Sequence, residues 1–322
     1  MKNQPDVPIL TIGIPTYNRS EDLFILLEKL ISSEIVLKNS VILVIDDGSI
    51  DSTKKIFEEK SFQSNAAPGA VRYLRNEKNI GYPKTFIRLF QECETEYLLI
   101  LADDNLVFED GLLNAVQVIK SKKPSLLSSP WVQGGKISHR TWKRRSPDGP
   151  IAIADFFRSS DHAPGLIYDC KKSKKYLGEI EKRIASNCSF TAVFPQVALS
   201  LNLFLNEGNC YYTSRPVGTE GPAHPSGITD AAGQHWRTYR SLLRQAADLD
   251  EYIATLPTLT DKKIISMAAQ KYYINYFFKL ADPAVGGYFQ IYFTNQLLFV
   301  RPVRSMKSGL KKFFGFLKSE PK

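Results

Sequence analysis

The strongest constraint on this chain is a run that passes from apolar to acidic within two residues. Tyr97-Leu98-Leu99-Ile100-Leu101 has strand character with no polar side chain but the tyrosine hydroxyl. Ala102 carries it straight into Asp103-Asp104-Asn105. A continuous apolar strand fits a parallel sheet covered on both faces. Charge at its carboxyl end falls where such sheets form their ligand crevice. Val41-Ile42-Leu43-Val44-Ile45 ends the same way, in Asp46-Asp47-Gly48-Ser49. Paired carboxylates need a partner, and a divalent cation bridging to a phosphate is the most economical one. The pattern points to an enzyme acting on a nucleotide-linked substrate.

The flanking sequence supplies the rest of such a sheet. Ile9 to Pro15 reads as a first strand. Behind it, Ser20 is the expected N-cap of a helix with Leu23, Leu26, Leu27, Leu30 and Ile31 on one face. Val41 to Ile45 is a second strand, followed by a short helix from Ser52 to Lys60. Ala70 to Leu74 is a third. Gly81-Tyr82-Pro83 opens a helix with proline in its first turn, carrying Phe86, Leu89 and Phe90 inward. A helix from Asp110 follows the Tyr97 to Leu101 strand, with Leu112, Leu113, Val116 and Ile119 along it. The alternation predicts a mostly parallel, doubly wound α/β sheet over the first 132 residues. The first strand-to-helix turn, Ile14-Pro15-Thr16-Tyr17-Asn18-Arg19, lacks G-x-G-x-x-G, which argues against a dinucleotide-binding enzyme, and no P-loop is present.

Beyond residue 132 the pattern loosens. Residues 133–150 read as an exposed loop and Phe190 to Leu205 as a helix. Gly218 to Gly233, rich in glycine and proline, reads as a mobile loop. Helices resume from Trp236 to Leu249 and from Asp261 to Leu280. The expected divisions are 1–132, 133–250 and a helical basic aromatic extension over 251–322.

Composition adds a compartment and a surface. The four cysteines have no metal-ligand spacing, and no apolar segment follows Met1, so free thiols in the cytoplasm are expected. The net charge of +9 is concentrated at one end: from Lys262 to Lys322 there are 11 Lys and Arg against 2 acids. There Gly309-Leu310-Lys311-Lys312-Phe313-Phe314-Gly315-Phe316-Leu317-Lys318 suits peripheral contact with an anionic membrane. The 18 uncharged residues from Pro283 to Val300 hold Gln290, Thr294, Asn295 and Gln296, which argues against a spanning helix. No nucleic-acid-binding motif accompanies the basic patch, so nucleic acid is not expected as a partner.

Four pieces in order carry a resemblance: Ile14-Pro15-Thr16-Tyr17-Asn18-Arg19, Asp46-Asp47-Gly48-Ser49 with Asp51, Asn76-Glu77-Lys78-Asn79-Ile80-Gly81, and Ala102-Asp103-Asp104-Asn105. Together they resemble the family-2 glycosyltransferases of the GT-A fold. The resemblance implies a nucleoside diphosphate sugar as donor, of the UDP-, CDP- or TDP-type, and a glycan hydroxyl, on a carrier that could be a lipid, as acceptor. It implies Mn²⁺ or Mg²⁺ at Asp104, with Asp103 on the ribose side and Ala102 where many relatives carry the first acid. Asp47 matches the carboxylate facing a uracil-type base. Tyr17 stacks on that base or packs as wall beside Pro15 and Thr16. Arg19 and Lys84 are candidate phosphate-side cations, and Asp46 also serves as a turn cap.

The acceptor side departs from the family. Gln196 stands where an inverting relative has its catalytic carboxylate, and an amide does not take up that proton at neutral pH. His162, Asp161, Asp155 and Glu220 are the alternative bases, His162 because its ordinary pKa is near neutrality. His224 and His235 lie in or beside the late loop. The implied setting is bacterial surface polysaccharide assembly (O-antigen or capsule) at the inner face of the cytoplasmic membrane. The competing readings are a GT-A protein that binds nucleotide or glycan without catalysis, and a sugar-phosphate nucleotidyltransferase. The latter class relies on a glycine-rich first turn that Gly13-Ile14-Pro15-Thr16 does not supply.

Overall fold

The structure, a computed structural model, describes residues 8–59, 69–139, 148–160, 162–221, 232–233 and 239–255. They belong to two compact units, 1–228 and 229–322. The expected Asp261 to Leu280 helix and the basic tail lie outside the described residues.

The first unit opens with β1 (Leu10–Thr16), α1 (Ser20–Ser32), α2 (Glu34–Asn39), β2 (Ser40–Asp46), α3 (Thr53–Glu58), β3 (Val71–Arg75), α4 (Tyr82–Glu92) and β4 (Tyr97–Ile100). The four strands are all parallel, in the order β3-β2-β1-β4. Alternation sets the layers. Leu10, Ile12 and Ile14 of β1 share one core with Leu23, Leu26, Leu27 and Leu30 of α1. Each such buried side chain contributes roughly 1.5–3 kcal/mol. On α4, Phe86, Leu89 and Phe90 are fully buried, and Phe86 and Phe90 meet Tyr168 edge-on. In register, Thr16 pairs with Asp46 and Asp46 with Arg75, so the acidic strand ends rise at one edge of the sheet.

The chain continues through β5 (Leu106–Val107), α5 (Glu109–Lys122), β6 (Leu126–Ser128), β7 (Trp131–Gln133), β8 (Lys136–His139) and β9 (Gly149–Pro150). Then come α6 (Phe156–Ser160), β10 (Leu166–Asp169), α7 (Cys170–Ala185), α8 (Ser189–Val193), α9 (Pro195–Asn202), β11 (Cys210–Tyr212) and β12 (Gly218–Thr219). Here the sheet is mixed. β10 lies antiparallel between β4 and β6, β11 is parallel to β6, and β9 is antiparallel to β11. A small second sheet has the order β5-β12-β7-β8. In the second unit, α10 (Tyr239–Thr255) has Leu249, Tyr252 and Ile253 buried at helical spacing.

Several expectations are corrected. Residues 133–150 are not simply a loop: Gly134 and Gly135, with φ of 56° and 75°, turn β7 back on β8. Strands of three and four residues are too short to show alternation. The single helix expected from Phe190 to Leu205 is broken at Pro195. Phe194 leaves helical geometry at φ −124° and ψ 58°, and proline restarts the chain as the first residue of α9. A π turn, Leu203–Glu207, then follows. The expected loop at Gly218 begins as strand β12.

The caps are also reassigned. Neither Ser20 nor Ser52 caps a helix with its side chain. Asp51 serves both ends: Oδ2 accepts from Ser20 N at 2.9 Å and Oδ1 from Thr53 N at 3.0 Å. An ionised acceptor is the stronger cap and favours a helix N-terminus.

Candidate active site

The Asp46-Asp47 end is closed by protein donors. Asp46 is fully buried. Its Oδ1 accepts from Ser49 N at 2.7 Å, and its Oδ2 from Tyr73 OH at 2.7 Å and Arg75 Nε at 3.2 Å. Asp47 follows the strand into the crevice. Its Oδ1 accepts from Asn76 Nδ2 at 2.7 Å and Ile80 N at 2.9 Å, and its Oδ2 from Gly81 N at 2.9 Å. The turn before α4 thus aims two backbone N–H groups at one carboxylate, the anion-binding habit of a helix start.

The Asp103-Asp104 end is barely compensated. Thr16 Oγ1 donates to Asp103 Oδ2 at 2.8 Å. Arg19 divides one guanidinium nitrogen between Asp103 Oδ1 at 3.5 Å and Asp104 Oδ2 at 3.3 Å. Burial pushes the Asp103 carboxyl up to about 6. Arg19 and the Thr16 hydroxyl pull it down, and the neighbouring charge of Asp104 adds to the rise. Asn105 locks the turn, its Oδ1 accepting from Ala102 N at 2.7 Å and its Nδ2 donating to Asp104 Oδ1 at 3.1 Å. Behind it lies Gly221, where a Cβ would stand 1.9 Å from the Asp104 carbonyl oxygen. Only glycine lets that backbone approach so closely.

Thr16 joins the two ends. Its carbonyl accepts from Asp47 N at 2.8 Å while its hydroxyl holds Asp103. The structure therefore brings Thr16, Arg19, Asp47, Asp103 and Asp104 together, as the sequence predicts. Pro15 precedes Thr16 in β1. Tyr17 is 42% exposed at the rim, free to offer a ring face. Asn18 is held left-handed, with φ of 53°, between Ser49 and Ile50. Lys84 stands exposed in the first turn of α4.

The acceptor-side candidates separate. Gln196 is buried in the first turn of α9, where its backbone carbonyl accepts from Tyr168 OH at 3.4 Å. His162 Nε2 lies 3.3 Å from Glu220 Oε1, and the imidazole packs 6.0 Å from the Trp131 ring. Glu220 is one residue from the Gly221 contact with Asp104, so this pair borders the acidic turn. Asp155 sits in the 3₁₀ turn before α6. Asp161, His224 and His235 lie outside the described residues. Asn76 and Arg88 were not singled out by the sequence. Asn76 belongs to a quoted motif, whereas Arg88, four residues before Glu92, has the signature of a surface helix pair.

Among the described residues, no group of three or more His, Cys, Asp and Glu side chains gathers to hold a metal by itself. The site still fits a hard cation. It offers carboxylate oxygens from adjacent residues, and one Arg19 nitrogen is the cation shared between them. Diphosphate oxygens would complete such a shell.

A sheet whose parallel strands end in a crowd of carboxylates defines the α/β class that the sequence predicts. Comparison with known proteins agrees. Residues 11–179, just over half of the chain, match the profile of glycosyl transferase family 2, and the chain belongs to that family. A dolichol-phosphate mannosyltransferase of Pyrococcus furiosus is 27% identical over 136 residues, which is 42% of this chain and 37% of that relative. The chain therefore spans little more than a third of that relative's length. Among solved structures, S. aureus TarS 1-349 in complex with UDP-GlcNAc superposes with a TM-score of 0.59 at 14% identity, covering 84% of this chain and 80% of that one. The mannosyltransferase PcManGT from Pyrobaculum calidifontis, in complex with GDP-Man and Mn²⁺, gives 0.51 at 15% identity, covering 94% and 84%. These two structures establish the shared fold.

Proposed function

We propose that the protein transfers a sugar from a nucleoside diphosphate donor to a hydroxyl of a glycan acceptor, with inversion at the sugar carbon. The observation that carries this reading is the Thr16 bridge, which sets Asp47 and the Asp103-Asp104 turn side by side. One carboxylate suits the imide N–H of a uracil- or thymine-type base; the other two suit the ribose and diphosphate end of the same molecule. Asp104, with Asp103 beside it, would hold Mn²⁺ or Mg²⁺. Such an ion supplies charge neutralisation to a departing diphosphate. Tyr17, Pro15 and Thr16 form the wall along the base, Asp46 braces the turn that presents Asp47, and Arg19 and Lys84 stand on the phosphate side.

For the acceptor proton, the His162–Glu220 pair is the arrangement the described residues support. It borders the acidic turn, and a carboxylate 3.3 Å from the imidazole orients the ring. The basic, phenylalanine-rich tail suits an acceptor carried on a lipid at an anionic membrane surface, and surface polysaccharide assembly at the inner face of the cytoplasmic membrane is the setting this implies. Among the described residues, no helix is long and apolar enough to cross a membrane.

The test is a thermal-shift panel of UDP, CDP, TDP and GDP with and without Mn²⁺, followed by diphosphate release from the matching sugar donors. A ligand that binds only the folded state raises the melting temperature. UDP or TDP should do so in a Mn²⁺-dependent way. No shift with any nucleotide would remove this reading. A shift without release from any donor, on a broad acceptor panel, would favour the binding-only alternative that Gln196 suggests.

A further inference from the structure

Asp47 is the carboxylate placed to read the donor base, and its remaining hydrogen-bonding capacity can be counted. A carboxylate oxygen accepts about two hydrogen bonds. Oδ1 takes two, from Asn76 Nδ2 and Ile80 N; Oδ2 takes one, from Gly81 N. One acceptor position on Oδ2 is left, and it needs a donor. The N3–H of uracil or thymine and the N1–H of guanine are donors. The corresponding ring nitrogens of cytosine and adenine carry no hydrogen.

This presentation depends on which way the Asn76 amide faces. The two ends of an amide are nearly the same size, and reversing Asn76 would point a carbonyl oxygen at the Asp47 carboxylate. Thr85 Oγ1, 3.3 Å from Asn76 Nδ2, does not decide the matter, because a hydroxyl both donates and accepts. The Asp47 carboxylate calls for the NH₂ end from one side, and Arg88 holds the carbonyl end from the other. Its guanidinium nitrogen donates to Asn76 Oδ1. A guanidinium has donors only, so the carbonyl end must face it and the NH₂ end must face Asp47. Arg88 is itself steadied by Glu92, with 3.6 Å between Arg88 Nε and Glu92 Oε1. Its side chain is 26% exposed, which is unlike a core strut.

We propose that Arg88 is a specificity-determining positioning residue: by fixing the Asn76 amide it keeps the Asp47 carboxylate oriented and selective for a base that presents a ring N–H. The inference rests on the proposed donor reading, and it assigns to α4 a task in addition to that of the turn before it, which offers the backbone N–H groups. Arg88 acts through Asn76 and does not touch the donor.

The experiment measures dissociation constants of UDP and CDP, with Mn²⁺, for the full chain and its variants. Arg88→Met should weaken UDP binding about tenfold to a hundredfold, the worth of a hydrogen bond to a charged group. CDP should change by less than about threefold, so the UDP/CDP preference collapses. Asn76→Ala should reproduce this, and the double variant should be no worse than either single one, because both break the same link. Arg88→Lys keeps a donor and should recover part of the preference. An unchanged preference in Arg88→Met, or a double variant whose loss is the product of the single losses, overturns the inference while leaving the donor reading in place. Wild-type protein that binds neither nucleotide overturns both. A purely structural role for Arg88 would weaken UDP and CDP alike, and that result also counts against the inference.

Discussion

The two acidic strand ends look alike in sequence and differ in physics. At Asp46 and Asp47, six donors converge on two carboxylates: Ser49 N, Tyr73 OH, Arg75 Nε, Asn76 Nδ2, Ile80 N and Gly81 N. At Asp103 and Asp104 the donors among the described residues are three: the Thr16 hydroxyl, the Asn105 amide and a single Arg19 nitrogen stretched between two acids. The first end is neutralised from within and behaves as scaffold that presents one acceptor position. The second keeps its charge in a buried place. Buried charge without compensation is costly, so it persists where a ligand or ion supplies the balance. The contrast separates the carboxylates that hold the fold from those that hold something else.

The largest test of that contrast is Asp104→Asn. It should lower turnover by about 10² to 10³-fold, the scale for losing one electrostatic contribution to the transition state. The melting temperature should not fall. Full activity in that variant would remove Asp104 from the site. The opposite behaviour is expected at the other end. Asp46→Ala leaves Tyr73 OH, Arg75 Nε and Ser49 N without their acceptor in a buried place, and should cost about 3 kcal/mol of folding stability. A urea-unfolding midpoint equal to that of the wild type would show the network to be inert. Asp47→Ala is intermediate: it should lose nucleotide binding together with a smaller part of the stability, because Ile80 N and Gly81 N lie at a partly buried edge.

Legibility in the sequence follows the same division. The β1 to β4 half was readable because its strands are continuous apolar runs and α1 and α4 are long enough to show a 3.6-residue period, whereas the six-residue α2 was not foreseen. Asp47, Asp103 and Asp104 were legible as a group because they stand at strand ends, where sheet geometry brings them together, and Thr16 was named through the resemblance of its motif. The later half was not readable in the same way. β7, β8, β9 and β12 have two to four residues each, too few for any period to emerge. The antiparallel entry of β10 depends on packing against β4, 77 residues apart at the Cys93 and Cys170 thiols, whose Sγ atoms lie 3.0 Å apart. Nothing in the local sequence of either cysteine signals that meeting. Asn76 and Arg88 escaped notice because their roles are directional hydrogen bonds, which spacing does not encode.

The smallest predicted effect has the opposite sign to the loss at Asp46. Folding raises the Asp103 carboxyl from its ordinary 3.8 to about 6, chiefly by burial. Between those values the folded protein keeps a proton that the unfolded chain has released. In metal-free protein, stability therefore falls as pH rises through that window and stays at the lower level above it. Asp103→Asn removes the ionisation while its amide nitrogen replaces one acceptor. In the presence of a chelator at pH 7 the variant should be more stable than the wild type, by on the order of 2 kcal/mol. At pH 4 the two proteins should converge. Saturating Mn²⁺ and nucleotide should narrow the gap at pH 7, since the wild type then gains the compensation it lacks alone. If Asp103→Asn lowers stability at pH 7 as Asp46→Ala does, the two strand ends are the same kind of structure, and the distinction between scaffold and site fails.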